Sequence, residues 1–407
     1  MSRWFTFAPM DFTADPAFFW RDSGLLCRTL QTMGHESQVV LLGSPRRDDP
    51  PDVVRATAEE LSSEAWWRSK TLDGVIMVAW ARHRDTPMVR AIAASGTPLV
   101  IHLDGSGISY PLFEVISTFK MFWCAGRGTG KGWMYRSFKF LKAASITAVK
   151  HLLRHSYHCY WHLRYATVAT LQTPESLLQR QRTCTLLGGR NHKVNLRLVG
   201  YPISTDCRWD ATPKEKRIIA IGRWSDLWQK RTHVLMAVSE RIASLHPDLH
   251  IDIFGEKTDA LAQWHARLNP DLQQRIHVHG IQPGAITTRA MQKAQVSFFP
   301  SSFEGGPQAL FECLACGATT VGLDTPYLPG TRWAATSHHG DLVLQDTDEA
   351  YVNALDRALK KWERGDYSPQ EISDYWIPYT HAQAILTSMM EAATKALPPG
   401  KHVKRPT

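Results

Sequence analysis

The stretch FPSSFEGGPQALFECLACG, residues 299–317, concentrates residue types suited to chemistry. Glu304 and Glu312 are separated by seven residues. Gly305 and Gly306 let a backbone approach a ligand closely, and Pro307 fits the first turn of a following helix. The free N–H groups and positive dipole end of that helix suit a diphosphate or sugar oxygens. Glu312 is expected about two turns into the helix, on the same side as Glu304. A carboxylate there can accept both hydroxyls of a ribose. On spacing alone, a glycine turn ahead of an ordinary helix is an equal reading.

Other patterns carry less chemistry. AGRGTGKG, residues 125–132, approaches a phosphate-binding loop, but Gly132 stands where Ser or Thr should follow Lys131, and no strand leads into it cleanly. It reads as a mobile basic loop. His151, His155, His158 and His162 recur at helical spacing with cations interleaved and no carboxylate nearby, the pattern of a helix face and not of a metal site. Cys313 and Cys316 form a CxxC without a second pair, so they read as small residues on a buried helix face. The seven cysteines are scattered and odd in number, which argues for free thiols. No GxGxxG follows the first strand, which disfavours a nicotinamide enzyme.

The elements that must position these residues alternate. In the first half, RWFTFAP, SQVVLLG, DGVIMVAW, TPLVIHL and YATVATL read as strands. FFWRDSGLLCRTLQTMG and RDTPMVRAIAASG read as helices closed by glycine. Strand VNLRLVG runs into the polar, proline-bearing GYPISTDCRWDATPKEK, the best linker candidate. The pattern then restarts with RIIAIGRW, IDIFGE, RIHVHG, QVSFFPSS and TTVGLD as strands among helices. The fold class is therefore α/β, with two units of similar size whose parallel sheets bind ligands at strand C-terminal ends. The length of 407 residues fits two domains. With 43% hydrophobic and 21% charged residues the chain is not disordered, and no uncharged apolar run reaches the roughly 18 residues a membrane helix needs. The first residues lack an apolar core ahead of a cleavage site, so no secretory signal is read and a cytoplasmic location is expected.

Glu-Gly-Gly-Pro, four residues, Glu312 and a helix ending Ala-Cys-Gly resemble the acidic E-x7-E signature of retaining glycosyltransferase family 4. RIIAIGRW with Lys230 seven residues after Arg223 is similar to that family's Gly-Arg…Lys element. IFGE, HVHGIQP with Gly280, and SGLLCRTLQTMGHESQVVLL resemble its further elements. The resemblance implies a GT-B architecture, two Rossmann-like domains facing a cleft. The acceptor-side domain would span 1–205, with a C-terminal helix at 376–396 packing back on it. The nucleotide-sugar-binding domain would span 206–375. Arg223 and Lys230 would hold the donor diphosphate, Arg as a fork and Lys as a point charge. Glu312 would bind the ribose, and Glu304 would contact the transferred sugar with help from the backbone at Gly306 and Pro307, Gly305 and Gly306 both counting among the donor-binding residues. Pro307 has no amide to offer, which removes one family contact. Gly24 would lie under the phosphates. Family members often carry a His followed by Asp after the strand that TPLVIHLDG resembles; here the order is His102-Leu-Asp104. Strand alternation puts both on one side, so either can face the sugar, and a buried structural role for His102 is an equal alternative.

The expected function is transfer of a sugar from a nucleotide-sugar donor to a saccharide or lipid-linked acceptor with retention. No metal or other cofactor is expected, because two cations stand where a metal would. A nucleotide-sugar epimerase of the same fold would need acid/base groups on both sides of the sugar. A non-catalytic nucleotide- or lipid-binding protein is opposed by the intact Arg223, Lys230, Glu304 and Glu312. Residues 101–200 hold 14 Lys+Arg against 3 Asp+Glu, and no acid occurs between Glu114 and Glu175. Lys139, Lys142, Lys150 and Arg154 belong to this stretch, which is expected to meet an anionic membrane surface or a lipid-linked acceptor at the inner face. Nucleic acid is not an expected partner.

Overall fold

The computed structural model describes residues 1–79, 83–103, 156–227 and 229–396, together with positions 134, 137, 138, 141, 142 and 145. Two compact units divide the chain. The first takes the N-terminal segment, the segment ending at Thr205 and the C-terminal stretch from Tyr379; the second contains Asp206–Pro378.

The first unit holds β1 (Arg3–Ala8), β2 (Glu36–Leu42), β3 (Val53–Ala56), β4 (Gly74–Ala79), β5 (Leu99–Leu103), β6 (Val168–Leu171) and β7 (Leu196–Leu198). They pair in parallel in the order β3-β2-β1-β4-β5-β6-β7. Both faces are covered, which is why the strands read as nearly continuous apolar runs. Alternation sorts the side chains. Phe5, Phe7, Val75, Met77, Leu99 and Ile101 pack on one face. Trp4, Ile76, Val100 and Val168 pack on the other, under α1 (Asp22–Thr32). On the first of these faces lie α2 (Thr86–Ala94), α3 (Ser156–Tyr165) and α4 (Pro174–Gly188). The Thr173 hydroxyl caps α4 by accepting from Ser176 N at 3.1 Å, and Pro174 pre-sets its first turn.

The second unit holds β8 (Glu215–Gly222), β9 (His250–Gly255), β10 (Ile276–Gly280), β11 (Ala294–Phe299), β12 (Thr319–Leu323) and β13 (Gly340–Val343), parallel in the order β10-β9-β8-β11-β12-β13. Its helices include α5 (Thr232–Leu245), α6 (Gln308–Ala315) and α7 (Asp348–Glu363). Helix α7 starts with Asp348 and Glu349 and ends with Lys360 and Lys361, charges that complement its dipole. Gly255 is required by packing as well as by its φ of 106°: a Cβ there would lie 2.0 Å from the Gly222 carbonyl.

The C-terminal region expected as one helix from 376 is two, Pro369–Thr380 and α8 (Ala382–Ala396). Helix α8 belongs to the first unit. It buries Ile385, Leu386 and Met389 against Leu26, Leu30, Val100 and Val168. Three such side chains at about 1.5–3 kcal/mol each make it a structural member of that core.

In each sheet the strand order reverses once, between β1 and β4 in the first and between β8 and β11 in the second. The crevice at the carboxyl ends of such strands is where open α/β sheets bind ligands. The Arg223, Lys230 and Glu304 motifs fall at the reversal of the second sheet, and Gly24 follows β1 at that of the first.

Candidate functional site

At the reversal in the second sheet, β8 delivers Arg223 and the loop to Lys230, while β11 delivers Ser301 and Glu304. Lys230 Nζ lies 2.5 Å from Glu304 Oε1 and 5.6 Å from the Phe299 ring centre. The Ser301 hydroxyl donates to the same carboxylate oxygen at 2.8 Å, and Gln229 Nε2 donates to Oε2 at 2.8 Å. Gln229 Oε1 in turn accepts from Arg223 Nη2 at 3.4 Å. Glu304 is 6% exposed, so a lone charge there would be costly; the three donors make its burial tolerable. Arg223 is exposed. The network is a chain of two cations joined by an amide and a carboxylate. An incoming anion can take Lys230 from Glu304 and Arg223 from Gln229.

Gly305 and Gly306 are half-buried between Glu304 and α6, and Pro307 is the residue that caps this helix. Because the helix begins at Gln308, Glu312 stands just over one turn into it, not two. Its Oε1 accepts from Gln308 Nε2 at 2.8 Å, and burial raises its carboxyl above the ordinary range. Gly280 ends β10 with a φ of 72°. Beside it His279 stacks on Phe254 at 4.3 Å and bonds Asp252 at 2.6 Å.

Sequence reasoning missed Gln229, Ser301 and Arg231. Arg231 follows Lys230 directly, sits in the left-handed region at φ 54° and is fully buried. Its guanidinium donates to Asp346 at 2.6 Å and to the Tyr351 hydroxyl at 3.1 Å. This anchors the start of α5 and therefore the backbone that presents Lys230. The only sequence signal was a second cation next to the first.

In the first sheet His102 sits on β5, one strand beyond the β1–β4 reversal, with its Nδ1 2.8 Å from Thr170 Oγ1 on β6. Burial pushes its pKa down to about 4, so the ring is neutral at physiological pH, and its Nε2 is buried without a partner among the described residues. Gly24, expected under phosphates, is buried in the first turn of α1; a Cβ there would meet the Phe18 carbonyl at 2.5 Å. Its small size is accounted for by packing. Lys142 is exposed. Asp104, Lys139, Lys150 and Arg154 lie outside the described residues, as do His151, His155 and the basic loop at 125–132. His158 and His162 lie on α3; the His158 ring centre is 4.0 Å from that of His83, and His162 bonds Thr86. The six described cysteines are buried.

Two parallel sheets with these topologies superpose along nearly the whole chain on solved GT-B enzymes. The lipopolysaccharide outer core galactosyltransferase WaaB matches at a TM-score of 0.59 and 13% identity, over 97% of this chain and 100% of that one. This is a GT-B fold. The pneumococcal O-GlcNAc transferase GtfA, solved with UDP and GlcNAc, matches at 0.62 and 9% identity over 97% and 99%. Anabaena Alr3699/HepE, solved with UDP-glucose, matches at 0.57 and 13% over 96% and 99%. Residues 215–361, which contain the network around Glu304, match the family described as Glycosyl transferases group 1. No curated protein matches the chain significantly in sequence.

Proposed function

We propose that this GT-B protein transfers a sugar from a nucleoside-diphosphate sugar to a saccharide or lipid-linked acceptor, with retention of configuration and without a metal ion. The observation that carries this reading is the Arg223–Gln229–Glu304–Lys230 network at the strand reversal of the group 1 domain. The leaving diphosphate develops negative charge, and two preorganised cations can take it up. Lys230 then leaves Glu304 for phosphate, which frees that carboxylate for hydroxyls of the sugar. Glu312 would accept the ribose hydroxyls. The structural neighbours bound to UDP and UDP-glucose support a uridine donor as the first to try.

The test is a thermal-shift screen of nucleotide-sugars, followed by a nucleotide-release assay in chelator. A ligand at 100 times its dissociation constant stabilises by about 2.7 kcal/mol. Turnover in chelator with an anomerically retained product supports the reading. Release that requires restored magnesium or manganese removes the metal-free part, and binding without release leaves a non-catalytic nucleotide-binding protein.

Membrane contact is proposed with it. Met134, Phe138 and Leu141 are exposed at 70%, 67% and 56%, at positions spaced by four and three residues, beside exposed Lys142. No described helix is long and apolar enough to cross a membrane. Apolar and cationic side chains together suit an anionic lipid surface, each cation contributing about 1 kcal/mol. Flotation with anionic but not neutral liposomes, reversed by salt, supports this; equal flotation on both, or none, removes it.

A further inference from the structure

The N-terminus of α1 stands at the strand reversal of the first sheet, a position that suits an anion unless something already occupies it. Something does. Asp22 is the first residue of α1, is 8% exposed, and holds a φ of 49°. That left-handed conformation is unfavourable for a residue with a Cβ, and it persists only where the surroundings over-determine it. Asp22 Oδ1 accepts from the Tyr201 hydroxyl at 3.2 Å and Oδ2 from Arg21 Nε at 2.7 Å. The carboxylate therefore spends its charge on Arg21 and the helix dipole, and each oxygen keeps a second acceptor position.

Uncharged polar atoms at the same end of the sheet have no hydrogen-bond partner among the described residues. The charge of Asp22 reaches the His102 ring, and the Tyr201 ring centre lies 6.5 Å from that of His102. His102 Nε2 has no partner and the residue is 1% exposed. Gln172 follows β6 two residues after Thr170, the partner of His102; it is fully buried, and both its amide oxygen and its amide nitrogen are unpartnered. The Ser23 hydroxyl is also buried and unpartnered, while its carbonyl accepts from Thr6 Oγ1 at 2.8 Å. Each such atom costs about 1–3 kcal/mol, so four of them at one sheet end call for hydrogen-bonding partners, which the hydroxyls of a ligand can supply.

We infer that Asp22, held by Tyr201 and Arg21, anchors vicinal hydroxyls of an uncharged sugar acceptor, with His102 and Gln172 reading adjacent hydroxyls. This rests on the sugar-transfer reading above. It also reverses the expectation for this helix: a carboxylate at the first position makes the α1 N-terminus a hydroxyl site and not a phosphate site. An amide and a neutral imidazole supply both donors and acceptors, the equipment for hydroxyl groups. A diphosphate would find no free cation among these residues.

The experiment uses the full chain with Asp22→Gly, Asp22→Asn and Tyr201→Phe. Glycine adopts φ 49° without strain, so Asp22→Gly is expected to melt no lower than wild type and to bind UDP with unchanged affinity. Nucleotide release is then measured with the donor found above, in water and with octyl glucoside, octyl galactoside and glucosamine added. The expected result is stimulation of wild type by a neutral glycoside, with a KM raised at least 10-fold in both Asp22 variants and less in Tyr201→Phe. Unchanged stimulation in Asp22→Gly overturns the inference, as does a wild type that releases nucleotide but is stimulated by no neutral glycoside, or by glucosamine alone. A wild type that binds and cleaves no nucleotide-sugar brings down the sugar-transfer reading itself, and this inference with it.

Discussion

The two units treat the buried polar groups at the carboxyl ends of their sheets in opposite ways. In the second unit the polar groups are charged, and they satisfy one another: Glu304 takes hydrogen bonds from Lys230, Gln229 and Ser301. In the first unit His102 Nε2, Ser23 Oγ and both amide atoms of Gln172 are buried without a partner among the described residues. The difference follows from magnitudes. An unpartnered neutral group costs about 1–3 kcal/mol, which a fold can carry. An unpartnered buried charge costs several times more, which a fold of marginal stability cannot. A site for a charged ligand must therefore hold internal counterions that the ligand displaces, whereas a site for a neutral ligand can leave its groups unpaired.

The largest effect that could break this contrast lies at Lys230. Lys230→Ala leaves Glu304 buried with only neutral donors and is expected to destabilise by about 3–5 kcal/mol, read from denaturant midpoints. Adding Glu304→Ala to it should restore part of that loss, because the orphaned charge is gone. Turnover should stay abolished in both. A double variant no more stable than Lys230→Ala would show that the pair is not a unit and would remove the counterion argument.

The same contrast explains what the sequence disclosed. Charged motifs are conspicuous, so Arg223, Lys230, Glu304 and Glu312 stood out, and the structure gathers Arg223, Lys230 and Glu304 in one network. Gln229, Ser301, Gln172 and Ser23 are ordinary polar residues whose meaning depends on what surrounds them. Asp22 and Arg231 could not be singled out, because a left-handed φ in a non-glycine residue leaves no mark in composition. The sheets show a parallel pattern. The interior strands were legible as apolar runs, but β3 and β13, four residues each and both at a sheet edge, were not. An edge strand tolerates polar content: β3 carries Arg55, buried by its bonds to Asp49 and Asp11.

In the first unit the neutral state of His102 can be tested by acid. Its pKa is depressed to about 4, so below the ordinary range near 6.5 the unfolded chain binds a proton that the folded chain refuses. Stability is therefore present above that range and lost as pH falls toward 4, by about 3 kcal/mol for this one group. His162, with a pKa also near 4, contributes in the same sense. Each single His→Gln variant should flatten the acid limb of a stability profile, but only His102→Gln should impair glycoside-stimulated nucleotide release. Equal impairment by both would mean that His102 acts on the fold and not on the ligand.

The smallest effect expected is at Glu312, and it sharpens the comparison because this carboxylate belongs to the charged unit yet has no cationic partner among the described residues. Its one hydrogen bond comes from the neutral Gln308, and burial raises its pKa. The folded chain therefore keeps the proton to a higher pH than the unfolded chain does. The stability this contributes is present at low pH and falls as pH rises above the ordinary carboxyl range through the raised value. Glu312→Gln keeps the shape and removes the ionisation. Its unfolding midpoint is expected to exceed that of wild type at pH 8, with the difference closing toward pH 4. Affinity for UDP should nonetheless drop roughly 10-fold, because a ribose diol loses a charged acceptor worth about 1.5–3 kcal/mol. A variant that is more stable and binds as tightly would strip Glu312 of its place against the ribose. A variant that is less stable at pH 8 would show that the ionised carboxylate already has a cationic partner in the free protein.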